Sequence, residues 1–101
     1  MSEPTVPRLV VLMSTYNGER YVVEQLASIL QQLPPGGRVL VRDDGSHDGT
    51  VACIEAVGDP RITVVQGTNL GFGGSFLTLL TMVPVDVDVV MFSDQDGKSV
   101  V

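Results

Sequence analysis

The sequence has few basic residues, and this shortage limits what the chain can bind. Six lysines and arginines stand against twelve aspartates and glutamates, which gives a formal net charge of −6 over 101 residues. Nucleic-acid binding needs clustered lysine and arginine to neutralise the phosphate backbone, so the composition argues against a nucleic-acid partner. An acidic protein that binds a phosphorylated small molecule needs a divalent cation as a bridge between the two negative partners.

Cysteine and long apolar segments are also scarce. Cys53 is the single cysteine, which excludes an internal disulfide and fits a reducing compartment. We expect Cys53 to be a small core residue. The N-terminus lacks a basic start followed by an apolar run, and no stretch of about 18 apolar residues occurs anywhere. These absences predict a cytoplasmic protein that meets membranes only through partners or through a segment outside this sequence.

What the sequence does contain is an alternation of short apolar runs with helical patterns, which is typical of βαβ units. Four apolar runs predict strands, at residues 8–14, 38–42, 61–65 and 88–93. Parallel strands joined by helices require right-handed crossovers. We therefore predict a single domain over residues 1–101, of the α/β class, with a Rossmann-like parallel sheet in the order 3-2-1-4 and flanking helices.

The ends of the predicted helices are marked by polar residues and glycines. Asn17 is placed to cap the first helix, Asp48 to cap the second, and Gly58 to end the second. The stretch QGTNLGFGG at 66–74 predicts a glycine-rich turn, so the third helix is expected to begin at Ser75.

Polar clusters follow the first, second and fourth predicted strands. They read STYNGE at 14–19, DDGSHDG at 43–49 and SDQD at 93–96. Ligands of open parallel sheets bind outside the carboxyl ends of the strands, where the strand order reverses. The order 3-2-1-4 makes these three strands neighbours, so we expect the clusters to converge on one rim.

The first two clusters contain side chains suited to a nucleoside. Asp43 and Asp44 could accept hydrogen bonds from ribose hydroxyls or from base N–H groups, or could instead cap a helix or lie in solvent. The ring of Tyr16 could lie flat against a nucleobase, or pack on its own helix. Ser14 and Thr15 could add hydroxyl contacts, although hydroxyls are common at strand ends.

The third cluster is suited to a metal ion. Alternation along an extended segment points Asp94 and Asp96 the same way, so that both could share one hard cation with a diphosphate. The alternative is a solvated loop. The apolar residues VVMF before it favour the metal site, because they place this turn at the end of a buried strand.

Four segments together resemble the family 2 glycosyltransferases of the GT-A fold, and within them the bacterial rhamnosyltransferase-like group. These segments are STYNGERYVVEQLASI, VRDDGSHDGT, NLGFGGSF and MFSDQD, and the resemblance covers residues 9–96. It implies the N-terminal, nucleotide-binding half of a GT-A fold. Ser14 and Tyr16 are then implied to contact the base, and Asp44 the base or ribose. Asp94 would be the first carboxylate of the DxD motif and Asp96 the ligand of Mn²⁺ or Mg²⁺.

The resemblance further implies a function in bacterial polysaccharide synthesis. The donor would be a dTDP- or UDP-sugar, the acceptor a glycan or lipid-linked glycan, and the metal a Lewis acid for the leaving diphosphate. The family continues with another Asp and an apolar-aromatic pair where this chain has Gly97 and Lys98. No residue is assigned as catalytic base. We therefore expect a donor-binding half with weak or absent activity alone, and self-association through an uncovered edge of the fourth strand.

Two alternatives remain at this point. DQDGKS after an apolar strand also resembles the nucleophile motif of haloacid dehalogenase-type phosphatases, in which Asp94 would attack phosphorus. Against it, that motif belongs on an early strand, and its glycine is followed by threonine. The other alternative is a non-catalytic interaction module that keeps the fold and binds nothing.

Overall fold

The fold is an α/β sheet with three helices. The computed structural model describes residues 8–94 and 99–100, and of residues 94, 99 and 100 the backbone alone. The strands are β1 (Leu9–Thr15), β2 (Arg38–Asp43), β3 (Ile62–Gln66), β4 (Val89–Asp94) and β5 (Ser99–Val100). The helices are α1 (Val22–Gln32), α2 (Thr50–Val57) and α3 (Gly71–Thr81).

The strand order is β3-β2-β1-β4-β5, which confirms the predicted order 3-2-1-4 of a Rossmann-like sheet. The first four strands pair in parallel, as helical crossovers require. β5 was not predicted, and it pairs antiparallel with β4 through Phe92 and Ser93. The outer edge of β4 is therefore not fully uncovered, contrary to the expectation behind self-association. Within the described ranges, residues 89–91 have no strand partner on that side.

Both faces of the sheet are covered, which explains why β1 and β2 read as continuous apolar runs. Alternate residues of β1, β2 and β4 enter two different cores. One core lies against α1 and α2 and consists of Val11, Met13, Val22, Leu26, Val39, Val41 and Ile54. The other lies against α3 and consists of Val10, Leu12, Leu40, Phe76 and Leu79. Cys53 is half-buried and packs against the first core.

The helix starts differ from the predictions, whereas the end of α2 agrees. Gly58 ends α2 in the left-handed region at φ 68°, as expected. α1 begins at Val22 and not after Asn17. Asp48 accepts the N–H of Thr50, the first residue of α2, but lies one position before the N-cap Gly49. α3 begins at Gly71, so three of the four glycines predicted to form a turn, Gly71, Gly73 and Gly74, belong to its first turns.

The helices of the described ranges are short. The longest have 11 residues, whereas a bilayer span needs about 20. No helix in this part of the chain meets the length and hydropathy that a membrane crossing requires.

Candidate functional site

The strand register brings the predicted clusters to one rim of the sheet. Thr15 at the end of β1 pairs with Asp43 at the end of β2, and Ser14 pairs with Asp94 at the end of β4. The carboxyl ends of all three strands therefore lie side by side. Asp94 enters this row by its backbone position, while Asp96 lies outside the described residues.

Asp43 joins the two loops that follow β1 and β2. Its carboxylate accepts the hydroxyl of Thr15 at 2.9 Å and both the N–H and the hydroxyl of Ser46, at 2.9 and 2.6 Å. The residue is 2% exposed. Asp43 therefore uses its carboxylate to hold Thr15 and Ser46 of its own protein.

A second set of bonds fixes the same two loops. The N–H of Asn17 donates to the hydroxyl of Ser46, and the Asn17 side chain in turn accepts the N–H of His47, both at 2.8 Å. Asn17 adopts φ 48°, a left-handed conformation that asparagine tolerates better than most residues. The β1–α1 loop, which carries Tyr16, is thus held against the loop after β2.

Asp48 extends this contact between loops. Its carboxylate accepts the hydroxyl and the N–H of Thr50 and also the N–H of Glu19. The hydrogen bond from the hydroxyl of Thr50 is the main reason that the pKa of Asp48 lies below its ordinary value of 3.8. Asp48 is therefore a negatively charged link between the starts of α1 and α2.

Asp44 occupies the N-terminus of α3. Its Oδ1 accepts the N–H of Leu70 at 2.8 Å and its Oδ2 accepts the N–H of Gly71 at 3.0 Å. A carboxylate is stabilised there because helical N–H groups and the macrodipole favour negative charge. The side chain amide of Asn69 also donates to the Asp44 carbonyl at 3.1 Å. Asp44 thus ties the end of β2 to the start of α3.

Arg42 is the buried cation of the site. Its Nη1 donates to Asp44 at 2.7 Å and to the hydroxyl of Ser75 at 3.1 Å, and its Nη2 donates to the carbonyl of Thr68 at 3.0 Å. The hydroxyl of Ser14 donates to Ser75 at 2.6 Å. Arg42 and Ser75 therefore connect β1, β2 and α3 beneath the rim.

Sequence reasoning missed Arg42 and Ser75. The signal for Arg42 was present, because a charge inside the apolar strand RVLVR must find a partner if that strand is buried. Ser75 carried no signal of its own, since a serine near a glycine-rich segment is common. It was also missed that Gln25 of α1 donates to the hydroxyl of Ser93 on β4 at 3.1 Å.

These contacts surround an open cleft of about 230 Å³. Seven residues line it, namely Ser14, Thr15, Tyr16, Asp44, Asn69, Gly71 and Phe72. Four of them are among the predicted nucleotide-binding residues. Asn69, Gly71 and Phe72 were not predicted as site residues, because their segment was interpreted as a simple turn.

The cleft combines two aromatic rings, hydroxyls and one carboxylate. Tyr16 is 40% exposed, while Ser14, Thr15 and Asp44 are buried. A carboxylate offers about four acceptor positions, and Asp44 receives three donors from the described protein. By this count the carboxylate of Asp44 could accept one further donor.

A metal site was predicted at Asp94 and Asp96. Among the side chains that the structure describes, no three histidine, cysteine or acidic residues form a group that could hold a metal. The two predicted ligands fall outside that set. The backbone of Asp94 lies beside Ser14, which itself lines the cleft, so the register is compatible with a metal at this edge of the rim.

Comparison with known proteins identifies a family and several relatives of this chain. Residues 10–98 match the profile of glycosyl transferase family 2. The chain is 36% identical over 90 residues to the dTDP-rhamnosyl transferase RfbG of Shigella flexneri, a match that covers 83% of the chain and 31% of the relative. The chain thus spans about a third of that relative's length.

Solved structures agree in fold. The mannosyltransferase PcManGT from Pyrobaculum calidifontis, in complex with GDP-Man and Mn²⁺, matches with a TM-score of 0.79 and 29% identity, over 89% of this chain and 28% of that one. TarS of S. aureus matches with a TM-score of 0.77 and 31% identity, over 88% of this chain and 27% of that one. The fold is that of the GT-A glycosyltransferases, and these matches favour a transferase over the phosphatase alternative. The chain belongs to glycosyl transferase family 2.

Proposed function

We propose that this chain is the donor-binding part of a glycosyltransferase and that its cleft receives the nucleoside of a nucleoside-diphosphate sugar. The observation that carries the proposal is the position of the cleft. It opens beside the carboxyl ends of β1 and β2, next to the point between β1 and β4 where the strand order reverses. Open α/β sheets bind their ligands at this place.

The cleft residues take complementary roles in this proposal. Tyr16 stacks on the base with its exposed ring. Asp44 accepts a base N–H or a ribose hydroxyl at its remaining acceptor position. The hydroxyls of Ser14 and Thr15 donate to Ser75 and Asp43, so toward a ligand they are acceptors. Asp43 acts indirectly, because its carboxylate holds Thr15 and Ser46 in place.

We propose that Asp94 and Asp96 hold Mn²⁺ or Mg²⁺. The chain has a formal net charge of −6, and a diphosphate adds further negative charge, so a divalent cation is needed between them. The mannosyltransferase structure with Mn²⁺ supports this choice of metal. When bound, the metal supplies Lewis-acid stabilisation of the leaving diphosphate.

For the whole protein we propose transfer from a dTDP- or UDP-sugar to a glycan or lipid-linked acceptor in polysaccharide synthesis. Likeness to a dTDP-rhamnosyl transferase supports a dTDP-sugar first. Transfer also needs a base that deprotonates the acceptor hydroxyl. The carboxylate that lines the described cleft, Asp44, already binds Arg42 and α3. We therefore expect the 101-residue chain by itself to bind donor and to transfer sugar weakly or not at all.

Calorimetric titration of the chain with UDP and dTDP, with and without Mn²⁺, tests the proposal. We expect Mn²⁺-dependent binding that Asp96→Ala abolishes and Tyr16→Ala weakens by about 5- to 150-fold, the worth of one base-aromatic stack. Tyr21→Ala is the matched control, because Tyr21 is also exposed, at 57%, but lies outside the cleft. Absence of heat with either nucleotide in the presence of Mn²⁺ would instead identify a non-catalytic module.

A further inference from the structure

We infer that Phe72 is a second base-contacting residue of the cleft, beside Tyr16. This inference rests on the proposed function. Phe72 lies in the first turn of α3, and Tyr16 lies in the loop after β1. The two rings reach the same cleft from different elements of the fold.

Phe72 leaves a large apolar surface in solvent at the border of the cleft. Its side chain is 66% exposed, although it borders a concave site. A large aromatic ring left in solvent forgoes the stabilisation that burial would give it. A planar ligand in the cleft would cover this ring and the 40% exposed ring of Tyr16 together.

The ring of Phe72 is nevertheless held in place. It packs edge to face on Phe76 with centroids 4.8 Å apart, and Phe76 packs in the same manner on Phe92 of β4 at 5.4 Å. Phe76 is 8% exposed, so this support comes from the core. An ordered ring loses less conformational entropy on binding a ligand than a free one does. Phe72 is thus a supported aromatic surface.

The polar surroundings identify which part of a donor fits here. The first N–H groups of α3, which would otherwise attract phosphate, already bind the carboxylate of Asp44. A diphosphate brings acceptor oxygens, and the carboxylate of Asp44 has no proton to donate to them. A base instead offers a flat face to Phe72 and N–H groups to Asp44. The place for the base is therefore the α3 end, with the diphosphate toward β4.

There is also room for a base at this end. The N–H of Gly71 binds Asp44, and a Cβ built at Gly71 would meet nothing within 4 Å apart from its chain neighbours and its own helix backbone. The space beside the backbone of Gly71 is therefore open to a ligand. A nucleoside base is small enough to enter this space in a cleft of about 230 Å³.

Titration of Phe72 variants tests the inference. With Mn²⁺ present, we expect Phe72→Ala to weaken UDP and dTDP binding by about 5- to 150-fold, Phe72→Leu to weaken it less, and Phe72→Tyr to preserve it. Binding of inorganic pyrophosphate with Mn²⁺ should stay unchanged in all three, because pyrophosphate has no base. A general structural defect would weaken the binding of the nucleotides and of pyrophosphate alike, and that result would overturn the inference.

Leu77→Ala is the matched control, since Leu77 lies on the same helix and is also 66% exposed, but does not line the cleft. It should leave UDP and pyrophosphate binding unchanged. If the unmodified chain binds UDP and Phe72→Ala binds it equally well, the inference about Phe72 fails while the proposed function stands. If the unmodified chain binds no nucleotide, the proposed function itself fails.

Discussion

The guanidinium of Arg42 and the carboxylate of Asp44 form an ion pair at 2.7 Å in which both side chains are almost fully buried, at 6% and 5% exposure. Desolvating two charges is costly, and their attraction compensates only when further hydrogen bonds satisfy both groups. Here Ser75, Thr68 and the first N–H groups of α3 supply those bonds. The pair therefore fixes the distance between β2 and α3, and with it the width of the cleft.

Removing Arg42 should leave a buried carboxylate without its cation. We expect Arg42→Met to lower the free energy of unfolding by about 3–5 kcal/mol, measured by urea denaturation. The double variant Arg42→Met with Asp44→Asn should recover part of that loss, because its buried amide is uncharged. A single variant within about 0.5 kcal/mol of the unmodified chain would show that the pair contributes little.

Gly67 tests the packing around the same arginine. A Cβ at Gly67 would overlap the guanidinium of Arg42. We expect Gly67→Ala to destabilise the chain by about 1–3 kcal/mol and to weaken nucleotide binding, since Arg42 must move away from Asp44. Gly73→Ala is the control, because Gly73 lies inside α3 and a Cβ there meets nothing within 4 Å. Alanine there should stabilise the chain by up to about 1 kcal/mol. Equal thermal midpoints for both variants would contradict the prediction.

Asp43 should act on the rim through its hydrogen bonds to Thr15 and Ser46. Asp43→Ala removes the acceptor of three bonds at the ends of β1 and β2. We expect a loss of about 2–3 kcal/mol in the free energy of unfolding, because buried donors are left unsatisfied. Asp43→Asn keeps one acceptor oxygen, so its free energy of unfolding should fall between those of the unmodified chain and Asp43→Ala. Calorimetric unfolding of both variants decides this, and an alanine variant as stable as the asparagine variant would exclude the proposed role.

Asp59 should make stability depend on acid pH. Its hydrogen bonds with the side chain of Arg61 lower the pKa of Asp59 from 3.8 to about 2. A carboxyl whose pKa is lower in the folded state stabilises the fold above its unfolded pKa, and this contribution is lost as pH falls toward 2. The stability difference between the unmodified chain and Asp59→Asn should thus be constant above about pH 5 and shrink between pH 4 and 2. Urea midpoints measured across this range test it, and a difference independent of pH would contradict it.

The sheet could be predicted because its determinants are local. Runs such as RLVVLMS and RVLVR are apolar on both faces, and the crossover rule then leaves few strand orders. The cluster around Ser14, Thr15, Tyr16 and Asp44 followed from that order, since each residue stands just after or at the end of a strand. These residues do line one cleft.

The features that were missed depend on partners distant in sequence. α3 starts at Gly71 because the carboxylate of Asp44, 27 positions earlier, accepts its N–H, and glycines alone predict a turn. Phe72 looked like part of that turn for the same reason. Asn17 failed as a helix cap because Ser46 and His47 of another loop bind it instead. β5 has only two residues, too few for a periodic pattern.

The cleft is assembled from three separate pieces of chain, at residues 14–16, 44 and 69–72. An unfolded polypeptide cannot hold these pieces together, so any molecule that occupies the cleft binds the native state alone. A free ligand concentration of about 100 times the dissociation constant then adds about 2.7 kcal/mol to the stability of the native state through mass action. Under the proposed function, binding of a sugar nucleotide would therefore slow proteolysis of this acidic chain.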